Sequence, residues 1–287
     1  MKICLPKKST QLIKAFSNRK VQVVKLDWHA NDWHQKFSQA KVDAFVWFPG
    51  LHHQWFKMLD RAGFINLFLN KPVFSSLKDS YLFQDKFHQQ YVFEQYKLPT
   101  PKTTIITKPE ELTTFFKKTK LPIIIKSAYG FGGDAPKMKK PGLIIIKTKS
   151  EANKFIKNKK WPKYNDQINN EDYIFIQQLE NIDTEFRIVT VGQKIILTYQ
   201  KKSDDLIKHV WRGAEVVYQS DKKAEALVRR ANNKLKLDWC GWDIIKTKKG
   251  QYKILEINPV FGTKGLEDKG IIIEEHMADY VISKLKK

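Results

Sequence analysis

The segment KILEIN at residues 253–258 and the segment WDII at residues 242–245 have the pattern of the two strands of a hairpin. Both are apolar with one acidic residue, and Lys249-Gly250 between them fits a two-residue turn. With that turn, Asp243 lies directly opposite Glu256. Because side chains alternate along a strand, Glu256 and Asn258 share one face. The sequence therefore predicts two carboxylates and an amide oxygen at one end of the hairpin.

These three side chains carry hard oxygen ligands. Mg²⁺ is commonly bound by one or two carboxylates together with substrate phosphates. Asp243, Glu256 and Asn258 are therefore the predicted metal ligands. The alternative interpretation is a set of polar side chains on a solvated face of the hairpin.

A lysine and a glycine-rich loop upstream suggest a nucleotide. A β-branched run ends at Lys126 and opens into SAYGFGG at residues 127–133. Gly130, Gly132 and Gly133 let backbone N–H groups approach phosphate oxygens, and Lys126 adds a positive charge. The loop is not of the Walker A type, because the chain contains no GxxxxGK[ST] motif. A glycine-rich hairpin tip without a ligand is the alternative.

Further motifs occur along the chain in a fixed order. They are DK at 85–86, LPTPKT at 98–103, FIQQLE at 175–180, TEFRIVTVG at 184–192, WRGA at 211–214, CGWD at 240–243 and EINPVFGTKGLE at 256–267. Together with the lysine and the glycine-rich loop, they resemble the ATP-grasp superfamily, and within it the RimK-like and glutathione-synthetase-like carboxylate–amine ligases. The resemblance covers about residues 74–287 and depends on the order and spacing of the motifs.

The resemblance implies an α/β architecture, the α+β ATP-grasp fold, in which two subdomains clamp ATP. A small N-terminal parallel α/β domain is expected at residues 1–72 and the ATP-grasp domain at residues 73–287. The latter divides into a lid subdomain at about 100–180 and a metal-binding subdomain at 181–287. Alternation of strands and helices in the first seventy residues independently predicts a parallel sheet, with its last strand at residues 65–69.

The resemblance also implies an activity, the ADP-producing joining of a carboxylate to an amine through an acyl phosphate. The expected cofactors are ATP and one or two Mg²⁺ ions, with Mn²⁺ as a substitute, and the expected acceptor is an amino acid, a peptide or a protein tail. Arg187 and Arg212 are the expected catalytic residues, because a forked guanidinium suits an acceptor carboxylate and its intermediate. From the resemblance, Lys86 and Lys126 are expected to contact the α- and β-phosphates, and Gly130, Gly132 and Gly133 to close over the β/γ end. Gln178, Leu179 and Glu180 are expected to form the hinge that contacts adenine, and Glu185 to bind the ribose.

Three departures from the family pattern concern the acceptor side. Lys201-Lys202 follow a predicted strand at residues 194–199, at the place where RimK-like ligases usually carry an arginine. His209 stands near a position where asparagine is common, and Pro259 is shifted forward in the last motif. The acceptor is therefore less well defined by the sequence than the nucleotide and the metal.

The formal net charge of +22 admits an acidic substrate or a nucleic acid as partner. However, only six of the 52 basic residues are arginine, and the excess of lysine matches the codon bias of an AT-rich genome. Two other functions stay open: an enzyme that attaches an amino compound to a nucleotide, and a catalytically inactive nucleotide-binding regulator. The oligomeric state is undetermined.

The sequence has no apolar run of membrane-spanning length and no signal-peptide pattern. Cys4 and Cys240 lie in apolar contexts, which favours buried thiols over a disulfide. These observations predict a cytoplasmic protein.

Overall fold

The computed structural model describes residues 1–47, 55–108, 110–126, 143–158, 174–202, 215–259 and 261–286. Of the predicted site residues, Gly130, Gly132, Gly133 and Arg212 lie outside these ranges, as does His209. Within the ranges, no helix is long and apolar enough to cross a membrane.

The N-terminal part forms a four-stranded parallel sheet in the order β2-β1-β3-β4, as predicted for the first seventy residues. Its strands are β1 (Lys2–Pro6), β2 (Gln22–Leu26), β3 (Ala44–Val46) and β4 (Val73–Phe74), and its helices are α1 (Thr10–Asn18), α2 (Trp33–Gln39) and α3 (Trp55–Leu67).

The predicted strand at residues 65–69 is wrong, because α3 continues to Leu67 and a turn follows it. Ile65 is fully buried, whereas the adjacent Leu67 and Phe68 are 64% and 73% exposed, which does not fit strand alternation. The left-handed Asn70 (φ 51°) follows, and β4 begins after Pro72. A short apolar run does not by itself distinguish a strand from a helix.

The middle part forms a four-stranded antiparallel sheet in the order β5-β8-β6-β7. It lies within the segment assigned from the sequence to the lid. Isoleucines of its strands pack against α6 and α7 in a separate apolar core. The elements are β5 (Thr103–Ile106), β6 (Ile123–Lys126), β7 (Leu143–Ile146), β8 (Ile174–Gln178), α6 (Glu111–Lys118) and α7 (Lys149–Asn158).

The C-terminal part forms a five-stranded antiparallel sheet in the order β11-β10-β9-β12-β13. Its strands are β9 (Ile182–Val191), β10 (Lys194–Lys202), β11 (Glu215–Val217), β12 (Trp239–Thr247) and β13 (Tyr252–Asn258), and its helices are α8 (Lys222–Leu235), α9 (Lys264–Glu267) and α10 (Ile273–Leu285). The sequence predicts a helix at residues 222–237 from the helical spacing of Ala224, Leu227, Val228, Ala231 and Leu235, and this apolar face of α8 is buried against the sheet.

The sequence predicts one helix at residues 80–97, but the structure has two, α4 (Leu77–Gln84) and α5 (Lys86–Gln95). The break occurs at Asp85, whose backbone is extended and whose carboxylate accepts the N–H of Phe87 as an N-cap. Gln89 then fixes α5 to β13, because its amide group exchanges two hydrogen bonds with the backbone of Ile257. This places Lys86 near the hairpin of β12 and β13.

Candidate active site

Asp243 lies directly opposite Glu256, as predicted, although the predicted turn is wrong. The turn comprises three residues, 248–250, and Gly250 adopts the positive φ of 77° that ends such a loop. This longer turn changes the register next to it by one residue. A β-bulge between the Asp243 and Ile244 pairs restores the register at the site, with Leu255 as the additional residue.

The strand register aligns four side chains in a row across the C-terminal sheet. Tyr199 pairs with Arg187, Arg187 with Asp243, and Asp243 with Glu256. Directly opposed residues share a face, so the row combines a phenol, a guanidinium and two carboxylates. Asn258 lies on this face as well, two residues beyond Glu256.

Buried ion pairs join Asp243 of this row to the neighbouring cross-strand pair of Glu185 and Lys201. The Nζ atom of Lys201 lies 2.7 Å from Glu185 Oε1 and 2.6 Å from Asp243 Oδ1, and Lys201 is 5% exposed. Arg187 Nη1 lies 3.2 Å from Asp243 Oδ2. Burial alone lowers the pKa of Lys201, but the carboxylates of Asp243 and Glu185 outweigh it and raise the pKa above its usual value. Lys201 is therefore charged.

Lys126 and Lys86 approach this face from two other elements. They line one pocket, which is formed by α5 and strands β6, β8 and β13 and includes the bulge residue Leu255. Burial lowers the pKa of Lys126 to about 8; Glu256 acts in the opposite direction, and Lys86 adds to the lowering. The two lysines predicted to bind phosphates thus lie near a carboxylate predicted to bind metal.

The predicted adenine hinge lies where β8 ends. The backbone N–H groups of Gln178 and Leu179 donate to the carbonyl oxygens of Lys102 and Pro122. Glu180 Oε1 accepts a hydrogen bond from Lys253 Nζ at 2.6 Å. A nucleotide contact through either of these N–H groups requires exchange of an existing bond, so the hinge stays a prediction.

The structure brings two further residues into the site that the sequence does not identify as functional. In the sequence, Lys201 is notable only as a departure from the family pattern, and Tyr199 only as the last residue of a predicted strand. Strand β10 extends to Lys202, so Tyr199 and Lys201 share the face of Arg187 and Glu185. Both residues have odd numbers, so alternation along β10 places them on one face. This alternation identifies them once the predicted strand is extended to Lys202.

The donor set on this face fits a hard divalent cation. Glu256 forms no hydrogen bond or ion pair with any residue that the structure describes. Asn258 donates from Nδ2 to Asp243 Oδ2 at 3.1 Å, which leaves its amide oxygen as an acceptor. No group of three or more His, Cys, Asp or Glu residues suited to a metal occurs in the described part. Glu256 and the oxygen of Asn258 are thus the best candidate ligands.

Gly241, opposite Asn258, allows Arg187 to lie across the sheet. A Cβ atom at this position would lie 2.8 Å from Arg187 Nη1 and 2.9 Å from Phe261 Cβ. Both approaches are closer than ordinary van der Waals contact. The glycine is therefore needed for the position of the guanidinium.

We expect Gly241→Ala to displace Arg187, to reduce kcat/KM, and to lower stability by roughly 1–3 kcal/mol, as overpacking typically does. Thermal unfolding and steady-state kinetics measure the two effects. Gly63→Ala in α3 is the matched control, because nothing lies within 4 Å of the added methyl group. Equal behaviour of the two variants would contradict the steric role of Gly241.

Comparison with known proteins gives consistent matches. Residues 83–281 match the model of the RimK-like ATP-grasp domain. The coenzyme gamma-F420-2:alpha-L-glutamate ligase of Methanocaldococcus jannaschii is 27% identical over 212 residues, which cover 72% of this chain and 68% of that protein. The protein of the same name from Methanococcus maripaludis is 26% identical over 218 residues, covering 74% and 70%.

Solved structures match over nearly the whole chain. A RimK domain ATP-grasp protein from Sphaerobacter thermophilus has a TM-score of 0.66 at 16% identity and covers 98% of this chain and 100% of its own. The ATP-grasp ligase PsnB, complexed with a minimal precursor, Mg and ADP, has a TM-score of 0.67 at 14% identity, with coverage of 100% and 98%. At these identities the structural matches show the fold alone.

Proposed function

Because the chain belongs to the RimK-like ATP-grasp family and is a carboxylate–amine ligase, we propose that it uses ATP and Mg²⁺ to activate a carboxylate as an acyl phosphate. An amine then displaces phosphate to form an amide bond. A carboxylate is a poor electrophile, and phosphorylation converts one of its oxygens into a leaving group. Catalysis of this kind depends on positioning and electrostatics.

The observation that carries the proposal is the convergence of Lys86, Lys126 and Glu256. Two lysines from α5 and β6 line one pocket, and the charge of Glu256 acts on one of them. A triphosphate needs cations on one side and a metal-holding carboxylate on the other. Lys126 is largely desolvated, and an anionic ligand would remove the cost of keeping its ammonium charged there.

The residues of the chain divide into nucleotide, metal and acceptor groups. Lys86 and Lys126, which line one pocket, bind phosphate oxygens. Glu256 and the amide oxygen of Asn258 would hold Mg²⁺, which would neutralise phosphate charge, and Asp243, the third predicted ligand, lies beside them in a hydrogen bond with Lys201. Residues 130–133, over the phosphates, and Gln178, Leu179, Glu180 and Glu185, at the base and ribose, complete the nucleotide site in this proposal.

Arg187 belongs to the acceptor group. Its side chain is 16% exposed, but its Nη1 atom is buried. Nη1 lies 3.2 Å from Asp243 Oδ2 and has no hydrogen-bond partner among the described residues. A buried N–H that lacks a full partner is well suited to donate to a developing oxyanion. Arg212 is proposed for the same task from its motif alone.

The amine is proposed to be an α-amino acid, free or at a peptide end. The support is that both curated relatives are named as glutamate ligases. PsnB, by its description, binds a precursor peptide. An acidic acceptor also suits the net charge of +22.

The test is incubation of the protein with ATP, Mg²⁺ and pooled amino acids and peptides, followed by mass spectrometry. The expected result is ADP release that depends on the acceptor, with a product whose mass is the sum of both substrates less one water. Nucleic acids in a parallel pool test the alternative acceptor. Absence of nucleotide binding would contradict the proposed function.

We expect Lys126→Ala to weaken ATP binding by about 10–100-fold, the usual effect of losing a charge-assisted hydrogen bond. Calorimetric titration with ATP measures the change. Lys147→Ala is the matched control, because Lys147 is an exposed lysine just beyond the neighbouring strand β7. If both variants bind ATP equally well, the nucleotide site lies elsewhere.

A further inference from the structure

The ammonium group of Lys201 lies between two carboxylates on the metal-facing side of the sheet. It is 2.6 Å from Asp243 Oδ1 and 2.7 Å from Glu185 Oε1, and both contacts satisfy hydrogen-bond criteria. The other oxygen of Asp243 faces Arg187 and accepts a hydrogen bond from Asn258. Both oxygens of Asp243 are therefore engaged by groups of the chain itself.

Among the described residues, the ion pairs of this cluster join equal numbers of positive and negative charges. Lys201 and Arg187 supply two positive charges, and Asp243 and Glu185 supply two negative charges. Glu256, in contrast, forms no ion pair within the described residues, although it lies opposite Asp243 in the register. The anionic charge available to a metal is thus concentrated on Glu256.

In the described part of the chain, this face offers a second divalent ion few oxygen ligands beyond Glu256 and Asn258. Two-metal sites hold their ions about 3.5–4 Å apart and stabilise both with shared ligands. To contribute an oxygen to a second ion, Asp243 would have to release Lys201, and the buried ammonium would lose one of its two carboxylates. The ammonium already supplies a positive charge at this place.

We propose that Lys201 takes the place of a second metal ion, so that the nucleotide complex holds a single divalent cation on Glu256 and Asn258. Lys201 is then a positioning residue that fixes Asp243 and Glu185 and keeps a permanent charge beside the phosphates. The inference rests on the proposed function, because it assumes a bound nucleotide. It concerns the number of metal ions and not the reaction.

The test uses Mn²⁺ as the probe, with ADP, and electron paramagnetic resonance as the readout. Isolated Mn²⁺ ions and a spin-coupled pair give different spectra, and the distinction does not require turnover. Lys201→Met removes the charge and keeps an unbranched side chain. Lys202→Met is the matched control, because Lys202 is the exposed neighbour on the opposite face of β10.

The wild-type protein and Lys202→Met are expected to show an isolated Mn²⁺ ion, and Lys201→Met a coupled pair, because Asp243 and Glu185 become available. Lys201→Arg keeps the cation and should restore the isolated ion. A coupled pair in the wild-type complex would overturn the inference, as would an isolated ion in a folded, ADP-binding Lys201→Met protein. Failure of the wild-type protein to bind ADP would instead contradict the proposed function on which the inference rests.

Discussion

Glu256→Gln is expected to lower kcat/KM by on the order of 10²–10³-fold, since a metal contact contributes several kcal/mol to stabilisation of transition-state charge. The fold is expected to persist. Glu256 has no hydrogen bond or ion pair within the described residues, so the amide leaves no partner unsatisfied. Steady-state kinetics across a range of Mg²⁺ concentrations, together with thermal unfolding, measure both effects.

Two further variants separate metal binding from general effects of charge. Glu215→Gln makes the same chemical change on the exposed edge strand β11 and should leave turnover unchanged. Asp243→Asn should reduce both turnover and stability, because it leaves the buried charges of Lys201 and Arg187 without their shared carboxylate. Wild-type turnover by Glu256→Gln at saturating Mg²⁺ would disprove the metal assignment.

The position of Glu256 opposite Asp243 could be predicted from the sequence, but the two-residue turn from which it was predicted is wrong. Turn residues and alternation give a register when both strands are regular. Here a three-residue turn and a bulge at Leu255 change the register in opposite directions, and the two changes cancel at the site. A bulge results from the packing of an edge strand, and no local pattern in the segment indicates it.

The partners of Lys201 and Glu185 could not be predicted, because they depend on which strands become neighbours. These residues are 16 positions apart in sequence and pair only through the β9–β10 hairpin. The sequence predicts a ribose contact for Glu185 by resemblance, whereas the structure places its carboxylate against Lys201. The ribose contact therefore stays a prediction.

The elements with strong local signals were predicted well. The apolar spacing of α8 and the β-branched run of β6 predicted elements of the correct type. The end of α3 was predicted as a strand, because a short apolar run does not distinguish a strand from a helix. The break at Asp85 was missed because Asp85 acts as a local N-cap of α5, and the hydrogen bonds between Gln89 and Ile257 that fix α5 join residues far apart in sequence.

A pair of buried carboxyl groups, away from the candidate site, connects the start of α4 to β12 and α10. Asp79 is fully buried, and its oxygens accept hydrogen bonds from Ser75, Ser76 and the backbone N–H of Asp238. The carboxylate of Asp238 accepts from the Tyr280 hydroxyl. Burial, together with the charge of Asp238, raises the pKa of Asp79 to about 8. Burial raises the pKa of Asp238 to about 6.

These shifts make stability depend on pH in a defined direction. A carboxyl group with a raised pKa keeps its proton in the folded state after the unfolded chain has lost it. Its contribution is therefore complete below the unfolded value, 3.8 for Asp79, and is lost as the pH rises through the folded value. The stabilising contribution of Asp79 is therefore lost up to about pH 8, whereas that of Asp238 is lost up to about pH 6.

We expect Asp79→Asn to lack the decrease in unfolding free energy that Asp79 causes in the wild-type protein between about pH 6 and pH 8. Asparagine has the shape of the protonated acid, and with Nδ2 at the position of Asp79 Oδ1 the Ser76 hydroxyl would accept a hydrogen bond there instead of donating one. The unfolding free energy of the wild-type protein relative to the variant should fall by roughly 1–3 kcal/mol across this range. Chemical unfolding at several pH values measures this difference, and taking the difference cancels groups common to both proteins, such as His276.

The unfolding free energy of the control Asp60→Asn, on the exposed face of α3, should run parallel to that of the wild type as the pH changes. If Asp79→Asn also runs parallel to it, Asp79 is ionised in the folded protein and the raised pKa is wrong.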